Sequence, residues 1–236
     1  AVVFAAGTQA LLYDTGGGDP AGPNIANSVV IPWLRYSRLR TLQTLIISHD
    51  DLDHSAGTRD ILHAMPVTMH LAGESLPPGA RACRAGMAWQ WPGGVTFQVL
   101  SPGPAQQGND ASCVLMIDAP GMRVLLAGDI GVQQERELIR FWGSRLKSDV
   151  LLVGHHGSAT STSQSWLNTV SPRLALISAG YASQFGHPHK EVMQRLLAQG
   201  IEARETALEG ALTVDVGADG ALRVSGHRAG YQPWWM

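Results

Sequence analysis

Charge is scarce in this chain and does not lean positive. Only 15% of its 236 residues are Asp, Glu, Lys or Arg, and the formal net charge is −2. Freestanding nucleic-acid-binding modules are usually basic, so binding driven by overall charge is excluded. Arg35, Arg38 and Arg40, and Arg81 and Arg84, are local exceptions that read first as solvated surface. No apolar run approaches the ~20 residues that a membrane-spanning helix requires. Repeats and low-complexity tracts are absent too. Cysteine occurs only as Cys83 and Cys113, which permits one internal bridge at most. The chain opens with neither methionine nor a leader-like segment. Ala1-Val2-Val3-Phe4 reads as a strand already under way, so an excised domain or a mature piece is expected.

A hydrophobic fraction of 44% suffices to bury a core, and 27 Gly with 13 Pro make the chain loop-rich. A single α/β domain over residues 1–236 is expected. Apolar runs place strands near 2–5, 9–13, 44–48, 66–70, 95–100, 112–118, 122–127, 149–153, 174–178 and 210–216. Helical spacing appears near 28–38, 57–64, 131–147, 164–169 and 190–199. The clearest helix, 131–147, carries Val132, Leu138, Ile139, Trp142 and Leu146 as its apolar stripe. Residues 72–94 read as a Gly/Pro-rich loop.

The densest chemistry lies in Ser48-His49-Asp50-Asp51-Leu52-Asp53-His54-Ser55-Ala56-Gly57, where two histidines and three carboxylates share six consecutive positions. The run follows the apolar Thr44-Leu45-Ile46-Ile47, so its donors sit where a strand gives way to a loop. His49, Asp51 and Asp53 alternate. An extended path would point them one way, leaving His54 to reach a second centre. Later donors also follow apolar runs: Gly128-Asp129, then Gly154-His155-His156-Gly157-Ser158, then Phe185-Gly186-His187-Pro188-His189. Six of the nine histidines fall in these loops. Neutral imidazole and carboxylate are standard ligands for divalent metals. The plainer alternatives are a solvated acidic turn for the first loop, and helix caps for Ser163 and for one of His187 and His189.

These motifs resemble the metallo-β-lactamase superfamily of metal hydrolases. The first run is similar to its H-x-H-x-D-H motif, with Asp51 in place of the middle histidine. Asp129 matches the aspartate that bridges two metals, and Asp14 in Tyr13-Asp14-Thr15-Gly16 matches a strand-end aspartate that supports the ligands. Asn109-Asp110-Ala111-Ser112-Cys113, His155-His156-Gly157-Ser158 and Gly186-His187-Pro188-His189 add a narrower resemblance to the C-terminal domain of the ComEC family of DNA-uptake channels. The resemblance implies a four-layer αββα sandwich with the site along one edge. It implies two divalent metals: His49 and Asp51 on one, Asp53, His54 and His156 on the other, and Asp129 between them. Asp53, Ser158, His155, His187 and His189 are the implied catalytic or phosphate-handling groups. Asn109, Asp110 and Ser112 stand where the superfamily has a further histidine. So oxygen-rich a donor set favours two Mn²⁺, with Zn²⁺ as the alternative.

The implied function is a metal-dependent DNase or phosphodiesterase that degrades one DNA strand during uptake. The alternatives are a hydrolase of a small phosphodiester and a catalytically silent metal-binding module. The implied setting is the periplasmic face of an inner-membrane protein, whose channel and OB-type domain would be partners; the isolated domain would be monomeric. An oxidising compartment favours a Cys83–Cys113 bridge. It would close a loop of about 30 residues, worth roughly 3–4 kcal/mol. The aromatic end Tyr231-Gln232-Pro233-Trp234-Trp235-Met236 suits stacking on bases or packing on the domain.

Overall fold

The apolar runs become buried strands, and their register decides where the donors emerge. The computed structural model describes residues 1–74, 77–103, 106–217 and 220–228; the aromatic end from Tyr231 to Met236 lies outside them. The chain divides into two compact units, Ala1–Met87 with Val99–Val114, and Ala88–Gln98 with Leu115–Met236.

In the first unit, β1 (Val2–Ala6) and β2 (Gln9–Tyr13) pair antiparallel, and β3 (Leu42–Ile47), β4 (Val67–Ala72) and β5 (Arg81–Ala82) follow in parallel. Its helices are α1 (Ile31–Tyr36), α2 (Leu52–Ser55) and α3 (Thr58–Ala64). Leu12, Leu42, Leu45 and Ile47 of the sheet form one buried cluster with Ile31 and Leu34 of α1 and Ile61 of α3. Burying each such side chain contributes about 1.5–3 kcal/mol. Helices this short are not stable alone, so the cluster holds them. Pro66 cannot continue α3, and Met65 before it is already extended. Tyr13 pairs with Ile46 across β2 and β3. The two strands therefore end at the same edge, with Asp14 beside Ser48.

The second unit carries β6 (Ala88–Trp91), the start of β7 (Val95–Ser101), all but the first residue of β8 (Val114–Ala119), β9 (Met122–Leu126), β10 (Val150–Leu152), β11 (Leu174–Ile177) and β12 (Glu202–Glu205). The sheet order is β12-β11-β10-β9-β8-β7-β6, and β7 and β8 take the chain from one unit to the other. A hairpin of β13 (Leu212–Val216) and β14 (Leu222–Gly226) stands apart from that sheet. The helices are α4 (Val132–Trp142), α5 (Gln164–Val170), α6 (Lys190–Ala198) and α7 (Thr206–Glu209). Strands β9, β10 and β11 are parallel, with Leu126, Leu152 and Leu176 in register. Asp129, His155-His156 and Ser178 consequently leave this sheet at one edge.

Several expectations need correction. The helix expected over 131–147 stops at Trp142, where Gly143 takes φ 52° and a 3-10 turn runs to Leu146. A left-handed glycine is a common helix terminator. Glu135 of α4 is buried despite its charge; burial pushes its carboxyl above the usual range, opposed by hydrogen bonds from Ser163 and Thr162 and by Arg195. The helix expected over 28–38 begins as a π-turn, Ala26–Val30, before α1. The segment 72–94, expected as loop, contains β5 and β6. Strands β12 and β14 were not foreseen: β12 is a charged edge strand, a common defence against edge pairing, and gives no apolar run.

Cys83 and Cys113 are bridged within the first unit, their Cα atoms 5.9 Å apart and 30 positions apart in sequence. Reduction, or Cys83→Ser combined with Cys113→Ser, should lower the unfolding free energy by about 3–4 kcal/mol. Urea unfolding with and without reductant measures this, and coincident midpoints would show that the bridge contributes nothing.

Candidate metal centre

In the first unit the donors are organised from behind by Asp14. This residue sits at φ 59°, a left-handed conformation uncommon outside glycine. The backbone is held there by Asp14 N donating to Ile46 O at 2.8 Å. The buried carboxylate accepts three hydrogen bonds: Ser48 N on Oδ1 at 2.7 Å, and Ser48 Oγ at 3.0 Å and His54 Nδ1 at 2.8 Å on Oδ2. Ser48 Oγ also lies 3.0 Å from His49 Nδ1. A hydroxyl has one hydrogen, and a carboxylate is the stronger acceptor. Ser48 therefore donates to Asp14 and accepts from His49. Both neutral imidazoles then carry their proton on Nδ1 and present a lone pair at Nε2.

Each of those lone pairs faces a carboxylate. His49 Nε2 is buried with no hydrogen-bond partner among the described residues, and Asp51 Oδ2 lies 3.4 Å from it. His54 Nε2 is 3.8 Å from Asp53 Oδ2. The two rings lie 4.2 Å apart, tilted by 50°. An imidazole lone pair facing a carboxylate oxygen is repulsive unless a cation sits between them, so the residues fit a divalent metal. The extended path expected through Asp53 is not adopted. Asp51 is extended, but Leu52–Ser55 forms a helical turn in which His54 N and Ser55 N both donate to Asp51 O at 2.9 Å. Thr15 fixes the far end, its N and Oγ1 donating to His54 O at 2.7 and 2.9 Å.

The Asn109–Ser112 segment is built against the same loop. Residues Gly108–Ala111 form a 3-10 turn, Cys113 N donates to Ser48 O at 2.9 Å, and Ser112 Oγ lies 3.5 Å from His49 Nδ1. Asn109 and Asp110 are half-buried on that turn. Gly73 packs against both segments: a Cβ there would strike the carbonyl oxygens of Ser48 and Ala111. Only glycine permits so close a backbone approach.

The second unit repeats the logic with a different anchor. His155 and His156 both have positive φ, 49° and 54°. Their Nε2 atoms lie 3.9 and 3.5 Å from Oδ2 of the buried Asp129. His156 Nδ1 donates to Ser178 O at 2.7 Å, which again leaves an Nε2 lone pair facing a carboxylate. His155 is less fixed, with Nδ1 3.4 Å from Thr160 Oγ1. The His187 ring lies 5.9 Å from that of His155 and 6.4 Å from that of His156. Burial, then the neighbouring His155 and His156, lower its pKa, with Asp129 opposing. His189 caps α6, its Nδ1 accepting from Glu191 N at 3.4 Å. Ser163 caps α5, and the Ser158 hydroxyl is engaged with Thr160 at 3.0 Å. The organising role of Ser48 was missed; its only sequence signal is a hydroxyl between a strand end and a histidine.

Residues 1–181 match the family described as the metallo-beta-lactamase superfamily. The chain belongs to that superfamily. It is 37% identical over 212 residues to competence protein ComA of Neisseria gonorrhoeae, covering 89% of this chain and 30% of ComA. It is 36% identical over 232 residues to recombination protein 2 of Haemophilus influenzae, covering 96% of this chain and 29% of that protein. The chain thus spans less than a third of these relatives. Among solved structures, the metallo-beta-lactamase fold protein YhfI of Bacillus subtilis aligns with a TM-score of 0.52 at 14% identity, over 86% of each chain. The mixed sheets and α/β architecture are those of the superfamily, whose metal-hydrolase character implies divalent ions here.

The support of His54 by Asp14 has a measurable consequence. Asp14→Ala should weaken Mn²⁺ binding about 10- to 100-fold, the usual effect of removing a group that orients a metal-ligating histidine. Calorimetric titration checks it, with thermal unfolding as the fold control. Unchanged affinity would detach Asp14 from metal binding.

Proposed function

We propose that the chain is a divalent-metal-dependent phosphodiesterase that hydrolyses DNA, as the nuclease part of a longer competence-type protein. The observation that carries the metal dependence is the facing of imidazole lone pairs and carboxylate oxygens, at His49–Asp51, His54–Asp53 and His156–Asp129. The ligands we assign are His49, Asp51, Asp53 and His54 in the first unit and Asp129 and His156 in the second. Between the paired histidines, His156 is favoured because its tautomer is fixed by a backbone carbonyl. A pair of divalent ions, when bound, neutralises phosphate oxygens and makes water nucleophilic near neutral pH. His155 and His187 are left to hold the phosphate and move the proton to the leaving oxygen, and Asn109, Asp110 and Ser112 line the approach to His49. Carboxylate-rich ligands favour Mn²⁺, with Zn²⁺ second.

DNA as substrate is supported by relatives named for competence and recombination. We place the domain in an inner-membrane protein on its periplasmic side, where the bridge at Cys83–Cys113 is chemically suited. No helix among the described residues is long and apolar enough to cross a membrane. A channel and an OB-type domain in the remainder of the protein would then deliver the strand.

The test uses purified protein, labelled linear single- and double-stranded DNA, and a series of Mn²⁺, Mg²⁺ and Zn²⁺. Cleavage should be fastest with Mn²⁺, be lost with a chelator, and fall below detection in Asp53→Ala and Asp129→Ala variants that unfold at the wild-type temperature. Wild-type rates in either variant would overturn the ligand assignment. Hydrolysis of small diesters but not DNA, or bound metal without turnover, would overturn the substrate or the activity.

A further inference from the structure

Beside the donor loop, wholly within the first unit, lies a cleft of about 460 Å³ whose wall includes His49 and Asp50. That volume is in the range of small-molecule sites, roughly 300–1,000 Å³. One wall is a face of α3. Arg59, Leu62 and His63 line the cleft at spacings of three and four residues, the separation that puts side chains on one helical face. Ile61, off that face, is fully buried in the core. Leu62 is left 37% exposed. Ile47, Pro20, Pro77 and Pro78 supply further apolar lining. Half of the fourteen lining residues are polar, with Asp50 and Glu74 as carboxylates and Arg59 and His63 as basic side chains. Arg59 makes no ion pair among the described residues. Glu74 lines the cleft and accepts from Gly108 N at 3.2 Å through one of its two oxygens.

This lining matches a molecule with a flat apolar body, an amino edge and anionic ends. We propose that the cleft is a nucleotide subsite. It takes the base and sugar next to the phosphate that is cut, with Leu62 and the prolines against the base and Arg59 and His63 on the flanking phosphate. The inference rests on the nuclease reading and adds to it. The cleft shares His49 with the donor loop, so a strand lying in it reaches the metal ligands directly. It also explains how a chain of net charge −2 engages DNA: contact with a base replaces overall attraction, as on other single-strand platforms.

Two exposed substitutions test it, Leu62→Asp and Arg59→Gln, with thermal unfolding confirming the fold. In the first arm, protein in Mg²⁺ buffer is titrated separately with a deoxynucleoside 5′-monophosphate and with inorganic phosphate. The mononucleotide should bind wild type at least tenfold more tightly than phosphate, and Leu62→Asp should erase that advantage. In the second arm, kcat/KM is measured on an oligonucleotide and on an abasic oligonucleotide of equal length. The ratio of the two should fall about tenfold in Leu62→Asp, through KM. Arg59→Gln should raise KM on both. If both variants keep the wild-type ratio and mononucleotide affinity, the subsite is wrong. If wild type cuts neither substrate, the nuclease reading fails, and the titration alone decides the cleft.

Discussion

Ser48 Oγ carries a single hydrogen, and its destination decides the chemistry of the donor loop. With that hydrogen on Asp14 Oδ2, His49 must supply the proton for its own contact with Ser48. His54 must supply one to Asp14. Both Nε2 atoms are thereby committed as lone pairs. The carboxylate that enforces this is buried, which is costly unless its charge is fully hydrogen-bonded; three donors meet it. The arrangement depends on register. Because Tyr13 pairs with Ile46, Asp14 and Ser48 leave adjacent parallel strands at the same level. A slip of one residue would turn every side chain to the opposite face.

The second unit reaches the same end with a neutral anchor. Ser178 O holds the proton side of His156, where a carboxylate does so for His54. Carboxylate support raises ligand basicity more than a carbonyl does, so the two histidines differ as donors although both expose Nε2. Positive φ at Asp14, His155 and His156 puts strain of about 1–3 kcal/mol at each position. Strain of that kind persists only where the surroundings over-determine the conformation. Around Asp14 the surroundings are visible: the sheet bond to Ile46 and the side-chain bonds to Ser48 and His54. The Cys83–Cys113 bridge, Gly73 and the Cys113–Ser48 backbone bond fasten the Asn109–Ser112 segment to the same loop.

Much of this was legible in the residues. Apolar runs ending in Asp or His marked the strand ends, because β-rich segments and polar loop donors contrast sharply along the chain. His49, His54, Asp129 and the His155-His156 pair were visible for that reason, whereas Asp14 was marked only by the family resemblance. Ser48 was not, since a serine before a histidine has no distinctive pattern and its role is a matter of where one proton goes. The helical turn at Leu52–Ser55 was hidden by the alternation of Asp51 and Asp53, which an extended path would explain equally well. His189 and Ser163 act as caps, as the plainer reading allowed, because each precedes a helix whose first N–H groups need acceptors. Glu135 was hidden by lying on a helix whose stripe is apolar.

The most direct test is the tautomer of the histidines in the metal-free protein, read by long-range ¹H–¹⁵N correlation in uniformly ¹⁵N-labelled protein. Protons on Nδ1 of His49, His54 and His156, with bare Nε2, are the result that the hydrogen-bond chain requires. An Nε2-protonated His49 or His54 would mean that Ser48 directs its hydrogen elsewhere, and would contradict the account of the donor loop.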